Sequence, residues 1–390
     1  MPSYPAKFLF AISDTGGGHR SAASAISDAL QQCSDATCIT TDILRTTRFP
    51  GLRQAPEIYD YCSKKLLWIN NLFFRNTNNV SRIKTLTKMV YLQSGQHIEH
   101  ELLTLRPDAV IAVHPLVTGL LSLARKRLGA IWPIITVVTD LVTIHASWAT
   151  PGADLYLAPT REVMTSLIQY GVPEHRIVFT GFPIHPKFTQ TALTKAEARK
   201  LLAIDPGRFT VLLTGGGVGA GGLSEWVAAL TAQCAGKQIL AVTGKNKNLY
   251  DQLTAGPPQE GLHVYGFIDN MEVFMAASDM IITKAGPGTI MEGAAMKRPL
   301  IVTEAVGIQE TGNIDYVKRN LLGYHCPLPG SCCTVINEIS ANAGQGSSIY
   351  SPRSIEINGS ARIARIILQQ AGAGRRPESG NIVQYGAPAS

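Results

Sequence analysis

The chain has 390 residues, 45% of them apolar and 16% charged, which is long enough for two or three domains with full cores and too apolar for a disordered polymer. Its net charge of +7 is concentrated: between positions 43 and 92 nine Lys and Arg stand against two acids, and the rest of the chain is neutral. Seven cysteines, scattered and without a CxxC pair, argue against a disulfide framework or a structural zinc and for a reducing, cytoplasmic compartment.

Taken in order, residues 7–12 read as a buried strand, followed by the turn Ser13-Asp14-Thr15-Gly16-Gly17-Gly18-His19 and by helical spacing over 22–30. Strand, glycine turn and helix together leave bare backbone N–H groups at a helix N-terminus, which suits phosphate or another anion. The basic insertion at 43–92 interleaves Lys64, Lys65 and Arg75 with Trp68, Phe73, Phe74 and Tyr91. That mixture describes a surface adsorbing to anionic lipid. An ordinary helical hairpin and a nucleic-acid surface are the other readings, and the lipid surface is preferred. Helices at 93–105, 117–128 and 161–170 then alternate with strands at 109–113, 133–138, 155–158 and 176–180. The longest apolar run, 109–124, is broken by His114, Pro115 and Gly119 and cannot cross a membrane.

Prolines 183, 186 and 206 around a short charged helix mark an inter-domain connection, with the linker proper at 188–207. The second half repeats the scheme. A strand at 209–213 leads into Gly215-Gly216-Gly217-Val218-Gly219 and a helix from 224, followed by strands near 238–242, 262–265, 279–283 and 299–303. The expected fold is therefore α/β, two Rossmann-like domains facing across a cleft. The first spans 1–187 and the second 208–345, followed by a helix within 346–371 and a disordered tail at 372–390.

Ligands of open α/β sheets sit beyond the carboxyl ends of the strands, and the candidates cluster there. Residues 217–222 satisfy GxGxxG, but the next strand ends in Thr243-Gly244-Lys245 rather than the acid a dinucleotide ribose wants. Gly286, Gly288 and Thr289 form another anion turn, with Glu292 one turn into the following helix. This acid reads as a ribose ligand or as a first-turn partner of the helix dipole. Gln309, Glu310 and Asn313 could grip sugar hydroxyls. His19 ends the first glycine turn and is the first choice of general base, with a headgroup or phosphate donor as its alternative. Asp140 is the rival base or the group orienting His19. His114 and His145 read as structural or catalytic, and Trp148 as a lipid contact or a core side chain.

Several of these strings together resemble one family. Ser13-Asp14-Thr15-Gly16-Gly17-Gly18-His19-Arg20-Ser21-Ala22, Val113-His114-Pro115-Leu116, the run from Val138 to Trp148, Gly181-Phe182-Pro183-Ile184-His185-Pro186, Lys284-Ala285-Gly286-Pro287-Gly288-Thr289-Ile290 and Gln309-Glu310-Thr311-Gly312-Asn313 resemble motifs of monogalactosyldiacylglycerol synthases and related processive diacylglycerol glycosyltransferases. The resemblance runs from about 7 to 325. It extends more distantly to the lipid-linked N-acetylglucosaminyltransferase of peptidoglycan synthesis. It implies a GT-B fold, a UDP-sugar donor and inversion without a required metal or cofactor. By position it gives Gly215, Gly216, Gly217, Gly286, Gly288 and Thr289 to the diphosphate, Gly266, Phe267 and Ile268 to the uracil, Glu292 to the ribose, and Gln309 and Glu310 to the hexose. Gly17, Gly18, Lys64, Lys65, Trp68, Arg75, His145 and Trp148 are the expected acceptor and membrane contacts. The implied partners are a UDP-hexose, diacylglycerol and anionic lipids, on the cytoplasmic surface of a membrane and without nucleic acid. Galactose and glucose are not distinguished. A lipid-linked N-acetylglucosamine transfer, a UDP-sugar epimerase and a non-catalytic lipid-binding protein are the competing readings.

Overall fold

In the computed structural model the described residues are 5–13, 17–45, 67–217, 219, 222–342 and 352–374. The first domain runs β1 (Lys7–Ile12), α1 (Gly18–Cys33), β2 (Thr37–Asp42), α2 (Leu67–Thr77), α3 (Val80–Leu105), β3 (Ala109–Ala112), α4 (Val117–Leu128), β4 (Ile134–Val137), β5 (Leu155–Ala158), α5 (Arg161–Gln169) and β6 (Ile177–Phe179). Two short helices, α6 (Pro186–Thr189) and α7 (Lys195–Leu201), lead into the second domain. It comprises β7 (Thr210–Thr214), α8 (Leu223–Gln233), β8 (Gln238–Val242), α9 (Lys247–Thr254), β9 (Leu262–Tyr265), α10 (Met271–Ala277), β10 (Met280–Thr283), α11 (Pro287–Ala295), β11 (Leu300–Val302), α12 (Ile308–Arg319), β12 (Gly323–His325) and α13 (Pro329–Asn342). A last helix, α14 (Gly359–Gly374), follows.

Each domain is one six-stranded sheet, in the orders β2-β1-β3-β4-β5-β6 and β12-β11-β10-β7-β8-β9, and all pairings are parallel. Strands buried on both faces are continuous apolar runs, and their alternation divides each sheet between two cores. Leu9 and Ala11 face one core with Val110 and Ile134, while Phe8, Phe10 and Ile12 face the other with Ile111 and Val137. In the second domain Leu212, Leu240 and Ile281 point to one side and Val211, Leu213 and Ile282 to the other.

The structure departs from the expected element map at five places. β2, with the sequence TCITTD and no buried residue in it, is an edge strand without an apolar run, and three-residue β12 is too short for a pattern. The helix expected at 93–105 is the second half of α3, which starts at Val80 behind an Asn79 cap accepting from the Ser81 and Arg82 N–H groups. The stretch read as a linker is folded onto the second domain: Phe182, Ile184, Phe188, Ala198 and Ile204 belong to its core, and Arg199 pairs with Asp279 at 2.6 Å. The C-terminal helix does not stay with that domain. Ile363, Ala364, Ile367 and Ala371 of α14 are buried in the first domain's core, against α1.

The chain therefore crosses between domains twice, and the crossings touch. A Cβ added to Gly359 would lie 2.1 Å from the Phe182 carbonyl oxygen, a separation only glycine permits, and the Ser360 hydroxyl donates to the Ile184 carbonyl at 2.6 Å. The expected tail beyond 374, and residues 46–66 of the basic insertion, lie outside the described residues.

Candidate active site

His19 is the second residue of α1, whose N-cap, Gly17, provides no side-chain cap and whose first turn holds no acid. Cβ atoms built on Gly17 and Gly18 meet nothing within 4 Å among the described residues. The His19 ring is fixed by the loops after β3 and β4. Its Nδ1 lies 3.1 Å from the Thr139 hydroxyl, and His114 packs edge-on against it with ring centroids 4.8 Å apart. The His114 Nδ1 accepts the Leu116 N–H at 3.3 Å. Burial, reinforced by neighbouring His19, holds its pKa well below the ordinary value. His114 is thus neutral.

Asp140, next along, accepts the Trp148 indole N–H at 2.6 Å. Burial raises its pKa to about 7; the indole bond opposes the rise and the charge of Glu310 adds to it. Glu310 belongs to α12 of the other domain, so this electrostatic coupling spans the cleft. Van der Waals contact spans it too: a Cβ on Gly312 would fall 2.7 Å from Val142 and 2.8 Å from the Thr143 hydroxyl.

On the second domain's side, α11 is preceded by Gly286 as its N-cap, with Pro287 in its first turn, no side-chain cap and no acid, and among the described residues the space beside Gly288 is open. The Lys284 ammonium pairs with the Glu310 carboxylate, whose other oxygen accepts the Val306 N–H at 2.8 Å. A Cβ on Gly286 would stand 3.1 Å from the Lys284 ammonium, and one on Gly216 would stand 3.6 Å from its last methylene. The cation therefore sits between the two glycine turns, where an anion would meet it together with the α11 N-terminus.

The remaining candidates are distributed around this centre. The carbonyl of Gly217 accepts the Lys245 N–H at 3.0 Å, which packs the Gly215–Gly217 turn on the loop after β8. Gly266, Phe267 and Ile268 follow β9; the Phe267 ring is exposed with the Lys245 ammonium 5.7 Å over it. Glu292 is half-buried, and burial raises its pKa to about 7, which Lys187 opposes and Glu272 reinforces. Lys187, paired with Glu272 at 2.9 Å, also donates to the Asp269 carbonyl, which ties Glu292 to the Gly266–Ile268 neighbourhood. Thr289 is half-buried in the first turn of α11. The Gln309 amide folds back over Gly307 and donates to the Val306 carbonyl at 3.3 Å.

Three expected contacts are corrected. Trp148, read as a lipid contact or a core side chain, is fully buried with its indole in the first domain's core, the second of those readings. Asn313, taken as a hexose ligand, is 1% exposed and donates to the Ala285 carbonyl at 2.8 Å, bracing α12 against the Gly286 turn. His145, taken as an acceptor-side contact, has its pKa lowered by burial to about 4; it bonds Thr77 at 3.1 Å and Ser147 at 2.7 Å, holding the end of α2. Trp68 and Arg75 are exposed on α2, whereas Lys64 and Lys65 lie outside the described residues. Thr139 and Lys284 stood unremarked within their motifs. A threonine or lysine ending a strand carries no signature until its neighbours are placed.

Among the described residues no group of three or more His, Cys, Asp or Glu is placed to hold a metal ion, and no helix is long and apolar enough to cross a membrane. Two parallel α/β domains meeting at their strand ends, each with a glycine turn, define the GT-B class. Its fold is shared by MurG of Acinetobacter baumannii, at TM-score 0.52 and 15% identity over 94% of this chain and all (100%) of that one. It is shared also by a UDP-GlcNAc 2-epimerase from Neisseria meningitidis, at TM-score 0.59 and 14% identity over 93% and 100%. Residues 19–184 match the family model of monogalactosyldiacylglycerol (MGDG) synthase, and residues 210–304 match that of the glycosyltransferase family 28 C-terminal domain. Chloroplastic monogalactosyldiacylglycerol synthase 3 of Arabidopsis thaliana is 32% identical over 346 residues, 86% of this chain and 74% of that protein. The chain belongs to the monogalactosyldiacylglycerol synthase family and is a glycosyltransferase.

Proposed function

We propose that the chain transfers galactose from UDP-galactose to diacylglycerol with inversion, as a peripheral enzyme on an anionic membrane surface and without a required metal ion. The observation that carries this reading is the continuity of the cleft. Asp140, next to the His19-bonded Thr139 in one domain, feels the charge of Glu310 in the other, and Glu310 pairs with Lys284 beside the Gly286 turn, so the base candidates and the anion site border the same cleft. The names of the relatives, monogalactosyldiacylglycerol synthases, favour galactose over glucose.

The diacylglycerol hydroxyl attacks the anomeric carbon, its proton passes to His19, and the bond from that carbon to the diphosphate oxygen breaks. For this the Thr139 hydroxyl accepts from Nδ1–H of His19, leaving the lone pair on Nε2. The departing diphosphate is met by the N–H groups at the start of α11 and by Lys284, which then gives up Glu310. Glu310, so released, is free to turn to the sugar hydroxyls beside Gln309. Glu292 and the Gly266–Ile268 loop take the nucleoside. On the outside, α2 and α3 present Trp68, Leu72, Met89 and Leu92 among exposed Arg75, Arg82, Lys84 and Lys88, apolar and cationic in the proportion that anionic interfaces attract.

The test is transfer of label from UDP-galactose, UDP-glucose and UDP-N-acetylglucosamine to vesicles containing diacylglycerol, with His19→Ala in parallel. Galactolipid from the parent chain, and a loss of about 10²-fold or more in the variant with UDP binding retained, is the expected result. Transfer from another donor alone changes the substrate, and undiminished turnover in His19→Ala removes it as the base.

A further inference from the structure

Helix α12 carries Gln309, Glu310 and the bracing Asn313, yet it cannot cap itself. Its N-cap is Gly307, at φ 96° and without a side-chain cap; a Cβ there would lie 2.7 Å from the folded-back Gln309 amide. A helix N-terminus leaves its first N–H groups in need of acceptors. The N–H of Ile308 finds one at 3.2 Å in the side-chain oxygen of Asn71, which comes from α2 of the other domain.

α2 is positioned on two sides. Asn71 and Phe74 line one stripe. Phe74 packs edge-on against His145 with centroids 4.8 Å apart, and just past the helix Asn78 accepts the Ala146 N–H at 2.7 Å and the Tyr170 hydroxyl at 3.1 Å. The neighbouring stripe holds Trp68, Leu72 and Arg75 at i, i+4 and i+7 spacing, with Trp68 65% and Leu72 52% exposed. An 11-residue helix thus joins an apolar and cationic outer stripe to the cap of the helix that bears Gln309 and Glu310.

We propose that Asn71 is a positioning residue for the donor sugar: seating the outer stripe of α2 in an anionic lipid surface fixes Asn71 over Ile308 and thereby sets Gln309 and Glu310. The inference rests on the reading of α12 as the hexose-binding helix and of α2 as lipid-facing. It implies that the free sugar nucleotide is held more tightly by the vesicle-bound enzyme than by the enzyme in solution, whereas UDP, gripped by other loops, is held alike in both.

The test uses the full chain and the variants Asn71→Leu and Asn71→Asp, the second keeping an acceptor oxygen at a helix N-terminus. Binding of UDP and of UDP-galactose is titrated with and without phosphatidylcholine–phosphatidylglycerol vesicles, and KM and kcat are measured on the same vesicles with diacylglycerol added. In Asn71→Leu the KM for UDP-galactose should rise roughly fivefold to tenfold, the order of one lost cap, with UDP affinity within about twofold of the parent. Asn71→Asp should restore it, and vesicles should tighten UDP-galactose binding in the parent and in Asn71→Asp only. An unchanged KM, an equal loss for UDP, failure of Asn71→Asp to rescue, or the same vesicle effect in parent and Asn71→Leu would each overturn the proposal. If Asn71→Leu does not fold, Asn71→Ala takes its place under the same criteria. Selective weakening of UDP-galactose in a chain that transfers nothing to diacylglycerol would sustain Asn71 and defeat the acceptor assignment instead.

Discussion

At Asp140 the protein keeps a carboxyl whose pKa is raised to about 7 by burial, where an unfolded chain titrates it near 3.9. The folded state thus holds this proton more tightly than the unfolded one. As pH rises from about 4 to about 7 the unfolded chain ionises first, so stability falls across that window and stays lower above it. Asp140→Asn removes the charge and keeps an acceptor for the Trp148 indole. We expect it to be more stable than the parent by about 1–3 kcal/mol at pH 8 and indistinguishable near pH 3.5, by urea midpoint; equal midpoints at pH 8 would mean that ionisation carries no penalty. Activity should fall in the same variant, a trade seen where a site stores instability for function. Glu292, also raised to about 7 by burial, keeps its own share of the pH dependence. The sequence makes His19 legible because a glycine turn can end on only a few reactive groups. It leaves Trp148 ambiguous, because an aromatic near a strand end serves core and surface alike until its burial is known.

At the scale of elements, α14 was legible as a helix and not as to its place. Periodicity at Ile363 and Ile367 announces a buried face, but nothing in that spacing says which sheet receives it. The answer is the first domain, and Ile367, fully buried there, should cost about 2–5 kcal/mol on replacement by Ala. Thermal melting checks this; a change under about 1 kcal/mol would place α14 outside the cooperative core. The connection after Gly181 reads as a linker for a related reason. Prolines signal a break in regular structure, yet Phe182, Ile184 and Phe188 between and beside them pack into the second domain, and only tertiary contacts reveal that. α2 presents the opposite case: its basic and aromatic composition was legible, while Asn71, a polar residue on its inner stripe, had no pattern to join.

For the whole molecule, two glycine turns were enough to expect two parallel-sheet domains, and both sheets are there. How closely they meet was not legible, since no residue type encodes the width of a cleft. Gly312 records it: the atoms a Cβ would strike at 2.7–2.8 Å include the Val142 Cβ itself, which cannot swing away as a side-chain tip could. Gly312→Ala should therefore prop the domains apart there. We expect kcat to fall at least about tenfold, since displacements near 1 Å suffice for such losses, with the melting temperature of the free chain little changed. Full activity in Gly312→Ala would show that turnover proceeds from a wider cleft.

The paired crossings at Phe182 and Gly359 make the second domain, in topological terms, a cassette inserted into the first. Its two boundaries lie side by side, so the two chain junctions made by exchanging the span between them for the corresponding span of a relative fall at a single place in the fold. Such a chimera should draw its membrane and acceptor preference from the host and its nucleotide-sugar preference from the guest. That geometry gives evolution a simple route to new specificities, by trading one domain on an unchanged partner domain.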